Sequence, residues 1–225
     1  MADWWTYRPE DFLHFSERVY WRLFELNNQA VWPVQIIAIV LGAVILALLL
    51  RPNVLSNRAI AIILATAWSF VALTYFRKEY ATISWAAQFV VPLFLVEAIL
   101  LAWLGGFRNQ LAISVHGKTW GYVRLAILIY ALAFHPLIAL LGGRPLASAE
   151  IFGIAPDPTA IATLALLALS GGGGAVILLL IIPTSWCVFN GATLLTMGTW
   201  EGWIPLATVA FTLTARPWRR TSTAK

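Results

Sequence analysis

Glu97 and Arg124 are the residues best placed to do chemistry in this chain, because each lies inside an apolar run where a charge is costly. Glu97 falls within Ser84 to Leu104 and Arg124 within Thr119 to Leu141, and each run is long enough to cross a hydrocarbon core, which takes about 20 apolar residues. A charge at that depth costs about 2.5 to 3.5 kcal/mol on insertion scales and normally faces the bundle interior and a partner. Glu97 lies about seven residues before the end of its run and Arg124 about five after the start of the next. At ~1.5 Å rise per residue both therefore sit roughly 8 to 10 Å below the same membrane face. The spacing predicts an antiparallel hairpin closed by a Glu97–Arg124 ion pair that fixes helix register, or a proton or ion relay built on the same two groups. Arg124 reaching the interface alone by snorkelling is the other possibility.

His135 sits farther along the second run, directly before Pro136. With Gln88, Asn190 and the slightly deeper Tyr130 it forms a candidate polar cavity toward the outer end of the bundle; hydrogen bonding between helices is the plainer use of such residues. A neutral imidazole also ligates haem or a chlorophyll-type magnesium, although one His in one run supplies a single ligand. The lone Cys187 forms no internal disulfide and reads as packing. His14 reads as a surface imidazole without metal-binding neighbours. There is no P-loop, no H-E-x-x-H and no G-x-S-x-G, so no catalytic residue and no metal site are assigned.

The elements that must position these groups follow from composition. Of 225 residues, 60% are hydrophobic and 11% charged, with mean hydropathy +0.80, whereas soluble domains are nearer about 25% charged. This predicts an all-α, polytopic transmembrane helix bundle. The pI of 9.7 reflects basic residues flanking apolar runs rather than a patch with interleaved aromatics, which argues against a nucleic-acid partner. Runs occur at Val31 to Leu50, Arg58 to Phe76, Ser84 to Leu104 and Thr119 to Leu141. Beyond these, Thr159 to Ile182 is either one span interrupted by Gly171 to Gly174, giving six, or the glycines are a turn. In the second case Thr159 to Ser170, Ala175 to Met197 and Trp203 to Ala215 bring the number to seven.

Length favours six spans, and charge favours seven. With seven, one side carries Arg51, Arg58, Arg108, Lys118, Arg216, Arg219, Arg220 and Lys225 without an acidic residue, and the other carries Arg8, Arg18, Arg22, Arg77, Lys78 and Arg144 together with every acid except Glu97. The positive-inside bias then places the N-terminus outside and the C-terminus in the cytoplasm. Pro92, Pro136, Pro183 and Pro205 fall inside spans and permit kinks. The seventh span has no lysine, which argues against retinal chemistry despite a seven-helix, N-outside plan. No inverted repeat of the kind seen in many transporters is present.

The chain divides into an N-terminal interfacial segment (1–30), a bundle (31–215) and a basic cytoplasmic tail (216–225). The first thirty residues lack a signal-peptide pattern. From Ser16, an N-cap, Val19, Tyr20, Leu23 and Phe24 recur at helical spacing opposite Arg18, Arg22 and Glu25, which predicts an amphipathic helix lying in the membrane interface. Trp4, Trp5, Trp32, Trp85, Trp103, Trp120, Trp200, Trp203 and Trp218 fall near span ends, where aromatic belts belong. Trp68 and Trp186 lie deeper, against lipid, pigment or another helix.

Asp3-Trp4-Trp5-Thr6-Tyr7, Asp11-Phe12-Leu13 with Phe15-Ser16, Val31-Trp32-Pro33, Tyr80 to Ala86 and the Phe152 to Thr159 loop resemble an uncharacterised family of bacterial multi-pass membrane proteins. The resemblance implies a bacterial inner-membrane location and no catalytic residue. Two functional expectations follow from the sequence. One is an accessory or scaffold subunit of a larger membrane complex, in contact with membrane lipids, suggested by small size, short loops and the absence of catalytic motifs. The other is a small-solute or ion transporter or channel using Glu97, Arg124 and His135. Bound lipids are expected in either case, and a pigment or haem would require His135.

Overall fold

The computed structural model describes residues 15–115, 118–171 and 173–214. Expectations for Trp4, Trp5, Tyr7, His14, Ala215, Trp218 and the tail 216–225 lie outside the described residues. The described chain is built from α1 (Glu17–Ala30), α2 (Val34–Leu49), α3 (Val54–Thr82), α4 (Ala87–Phe107), α5 (Thr119–Leu141), α6 (Pro156–Leu169), α7 (Gly174–Thr196) and α8 (Trp203–Thr214). α3, α4 and α5 widen into π-helical turns from Ala72, Leu101 and Tyr130. Each of α3, α4, α5 and α7 is long and apolar enough to cross a membrane, and α1 with α2 makes a fifth candidate, bent by 93° between its two halves. The fold is all-helical among the described residues, as the composition predicts.

Local chemistry sets the helix starts. Ser16 caps α1 by accepting from the Val19 amide, as its position before an apolar face predicts. Asn53 accepts from the Ser56 amide at 2.9 Å and starts α3 at Val54, ahead of the Arg58 start read from hydropathy. The glycine stretch is a turn. α6 ends at Leu169, Ser170 is extended and makes an isolated bridge with Ile113, and the Gly171 amide donates to Ala112 O at 3.2 Å. α7 then begins afresh at Gly174.

α6 is the axis of the fold. All of its residues from Pro156 to Leu169 are buried, packed among α3, α5, α7 and α8. Ala160, Ala162, Ala165 and Ala168 explain how one helix fits among four: small side chains let backbones approach closely, which is what holds helices together when lipid removes the hydrophobic drive between them. At ~1.5 Å per residue α6 is only about 21 Å long, and the loop before it extends its reach, because Ser148, Ala149, Glu150, Phe152, Ile154 and Ala155 are buried as well. Elsewhere Gly105 of α4 meets Ala61 of α3 so closely that an added Cβ would lie 2.5 Å from the alanine Cβ.

The predicted hairpin between the Glu97 and Arg124 helices does not form. α4 packs on α3 and α7, whereas α5 packs on α6 and α2, and the intervening chain passes Ser170 at the bridge from Ile113. The reason is α6, whose alanine-rich surface takes the place beside α5 that the sequence reading gave to α4. The apolar face of α1 packs on protein: Tyr20, Leu23 and Phe24 are buried, with Phe24 stacked on Tyr75 of α3 at 4.7 Å between ring centroids. Aromatic contacts continue inward through Phe76, Phe94 and Trp186, so α1, α3, α4 and α7 share one core. Trp68 and Trp186 are buried in that core rather than facing lipid.

Loops gather at two ends. At the N-terminal end Asn28 of α1 donates to the carbonyls of Ala147 and Ala149 at 2.9 and 2.8 Å, and the turn before α8 seats Gly202 against Gly191 of α7. At the opposite end Arg58 donates to Phe107 O, and the segment after α4 meets the end of α6.

Candidate functional site

The N-terminal end holds a buried cluster of ionisable groups that is absent from the sequence expectations. Its centre is Asp157, in the first turn of α6 between Pro156 and Pro158. A proline at the helix start costs no intrahelical hydrogen bond, and an acid in the first turn complements the helix dipole, so the local sequence favours both. Thr159 locks the turn, accepting from the Gly153 amide at 2.8 Å and donating to Ala155 O at 2.7 Å.

α7 presents two donors to Asp157. Trp186 Nε1 donates to Oδ1 at 2.8 Å, and Asn190 Nδ2 spans both oxygens at 2.9 and 2.8 Å. Asn190 Oδ1 in turn accepts from the Tyr20 hydroxyl of α1 at 3.0 Å. The Tyr75 hydroxyl of α3 faces that of Tyr20. A single chain of hydrogen-bonded side chains thus joins α1, α7 and α6, while the buried Tyr75 hydroxyl of α3 beside it has no hydrogen-bond partner among the described residues.

A second layer surrounds this chain. Arg144 donates to Glu201 at 2.6 Å, with both side chains nine-tenths buried or nearly so, and its guanidinium carbon lies 3.4 Å from the centroid of the Trp21 ring. Glu150 is buried beside Asp157, Arg144 and Glu201, and its Oε1 has no hydrogen-bond partner. Burial pushes the Glu150 carboxyl well above the usual carboxylate range, the nearby Asp157 and Glu201 add to this, and Arg144 opposes it. Glu201 is likewise raised by burial, with Arg144 pulling the other way. Three carboxyls facing one arginine in a buried place can hold and release protons. Among the described residues no three His, Cys, Asp or Glu side chains are grouped as a metal ion would require.

Of the residues singled out from sequence, the structure brings Asn190, His135 and Tyr130 to this end. His135 is buried beside the Glu150 backbone, with its Nδ1 unpartnered and its ring 5.4 Å from that of Tyr130. Tyr130 lies in the field of Glu150, Asp157 and Glu201. Gln88 does not join them; it is exposed on α4. Glu97 is fully buried on α4, and neither of its carboxylate oxygens has a hydrogen-bond partner. Arg124 is buried on α5, and no ion pair links the two. Asp157, Glu150, Glu201 and Arg144 escaped the sequence reading because each sits in a polar stretch that looks like an outside loop. The usable signal was an acid flanked by prolines at the head of an apolar helix.

Beside the cluster, α1 and the 144–148 loop enclose an open cleft of about 560 Å³, reached by Arg144 but by none of Glu97, Arg124 and His135.

No curated protein and no solved structure matches the chain. A family model covers residues 17–224, which includes the whole buried cluster though not the Asp3 to Ser16 part of the resemblance noted from sequence. The chain therefore belongs to the family of unknown function DUF6064.

Proposed function

We propose that this protein is an integral membrane protein of the bacterial inner membrane that crosses the bilayer seven times, with its N-terminus outside, and acts as an accessory or scaffold subunit of a larger membrane complex. The sorting of loops supports the topology. Glu17, Glu25, Glu79, Glu150 and Glu201 lie at the N-terminal end together with Arg18, Arg22, Arg77, Lys78 and Arg144, and the segments reaching the opposite end carry Arg51, Arg58 and Arg108 without an acid. With Lys118 and the basic tail assigned to that opposite side, and Arg8 to the N-terminal side, lysine and arginine number eight against six, a modest positive-inside bias.

The observation that carries the scaffold reading is the burial of α6 on every side. A helix that fills the bundle axis and packs by small residues against four neighbours supports a sealed body rather than a conduction path. Mild detergent extraction from native membranes is expected to bring the protein down with partners in fixed stoichiometry. Recovery of the chain alone across several mild detergents would overturn the reading.

A transporter or channel is the second reading, and the acidic cluster favours it. The residues it would use are His135, Glu150 and Asp157 rather than Glu97 and Arg124, which lie apart. Purified protein in proteoliposomes would then carry a proton or small-ion flux that Asp157→Asn abolishes, and absence of flux would remove this reading.

A further inference from the structure

The cleft beside α1 combines features that a soluble anion and a purely apolar ligand would each leave unused. α1 turns by 93° from α2, so when α2 stands in the bilayer α1 lies along its surface. Val19, Arg22 and Leu26 follow one another along α1 at spacings of three and four residues, which places them in one line. Val19 and Leu26 remain 40% and 38% exposed although most of the apolar face of this helix is buried. Leu23, Pro145 and Ser148 also line the cleft. Arg18 and Arg22 stand at its edge, and the pairing of Arg22 with Glu25 uses only part of a guanidinium that has five donors. Arg144 also lines the cleft but is paired with Glu201, so Arg18 and Arg22 supply its available positive charge against the acid Glu25. Its volume of about 560 Å³ falls within the roughly 300 to 1,000 Å³ of small-molecule sites.

We infer that this cleft holds an anionic phospholipid, with its phosphate against Arg18 and Arg22 and an acyl chain along Val19, Leu23 and Leu26. An apolar lining with arginines at its edge matches an amphiphile with a negative head, and basic residues at a membrane surface attract anionic lipid. A free phosphate would meet the arginines but leave Val19 and Leu26 exposed. The inference requires the bundle to lie in a membrane and is independent of the scaffold role, since lipid retention and partner recovery are separate measurements.

The test uses the full chain reconstituted in nanodiscs of mixed phosphatidylglycerol and phosphatidylcholine, released into mild detergent and weighed by native mass spectrometry. Phosphatidylglycerol is expected to be retained over phosphatidylcholine, with retention falling roughly fivefold for each of Arg18→Gln and Arg22→Gln. Leu26→Trp, which fills the cleft and keeps its charge, is expected to expel the lipid too. These positions are exposed, so helical content and melting temperature should be unchanged. Equal retention of the two lipids, or undiminished phosphatidylglycerol in the Arg18→Gln/Arg22→Gln double variant, would overturn the inference. So would displacement of the lipid by inorganic phosphate alone, which would mark a free-anion site.

Discussion

The Tyr20 hydroxyl donates to Asn190 Oδ1 at 3.0 Å, joining the first described helix to α7 across 170 residues of sequence. Asn190 spends its amide on Asp157, so one side chain ties α1 and α6 to α7. Removing Asn190 strands the buried Tyr20 hydroxyl and leaves Trp186 alone to donate to the buried Asp157 carboxylate.

Asn190→Ala is therefore expected to cost about 2 to 3 kcal/mol, in the range for hydrogen bonds to charged groups and orphaned buried partners. Tyr20→Phe alone should cost less, about 1 kcal/mol. The two should be non-additive in a double-mutant cycle read by thermal melting in detergent, because they remove the same bond. Additive losses would mean that α1 is held by other contacts.

Arg144 and Glu201 make a second buried tie, between the loop after α5 and the turn before α8. Arg144→Met should destabilise by about 3 to 5 kcal/mol, as is usual when one partner of a buried pair is left behind. Arg144→Met with Glu201→Leu should recover most of that loss. A double variant as unstable as the single would show that the cation over the Trp21 ring matters more than the pair.

Much of the architecture was legible because it rests on hydropathy and local caps. Long apolar runs gave α2 to α5 and α7 within a few residues, and Ser16 began α1 where its spacing required. The side-chain partnerships were not legible, since they are non-local. Glu97 and Arg124 share a depth on paper, but which helix lies beside α5 depends on the alanines of α6 and not on chain order. The same failure hid the cluster: Glu150, Asp157 and Glu201 look like ordinary outer-loop acids until the 148–155 segment folds inward and buries them. Asn190 and His135 stand out in the sequence as lone polar groups, but Asp157, which Asn190 binds, and Glu150, whose backbone His135 meets, do not.

The unpartnered Glu97 leads to a further expectation. A buried carboxyl without hydrogen bonds costs about 1 to 3 kcal/mol on the scale of protein mutational data, so Glu97→Leu should raise the melting temperature. Combined with Arg124→Gln, its effect should add to within about 0.5 kcal/mol, because the two residues are apart. A strong coupling between them would restore the ion pair that the sequence suggests.

The acidic cluster makes stability depend on pH. The Glu150 carboxyl is raised above its unfolded value of about 4.3, so the folded protein holds a proton that the unfolded chain has released. Its contribution is complete below that value and is lost as pH rises through the folded pKa. The melting temperature is expected to fall as pH rises above about 4.3, and Glu150→Gln, which cannot ionise, should flatten the slope. A melting temperature that rises over the same interval would place the protons elsewhere.

The most direct test is the side of the membrane from which each end can be reached. Ala147, exposed at the N-terminal end, and Gly171, exposed in the turn between α6 and α7, serve as single-cysteine probes, since the native Cys187 is buried. A membrane-impermeant maleimide should label Ala147→Cys only from outside and Gly171→Cys only from the cytoplasmic face, in right-side-out and inverted vesicles respectively. Labelling of both from one side, or of Gly171→Cys from neither, would contradict a seven-pass bundle organised around a separate, buried α6.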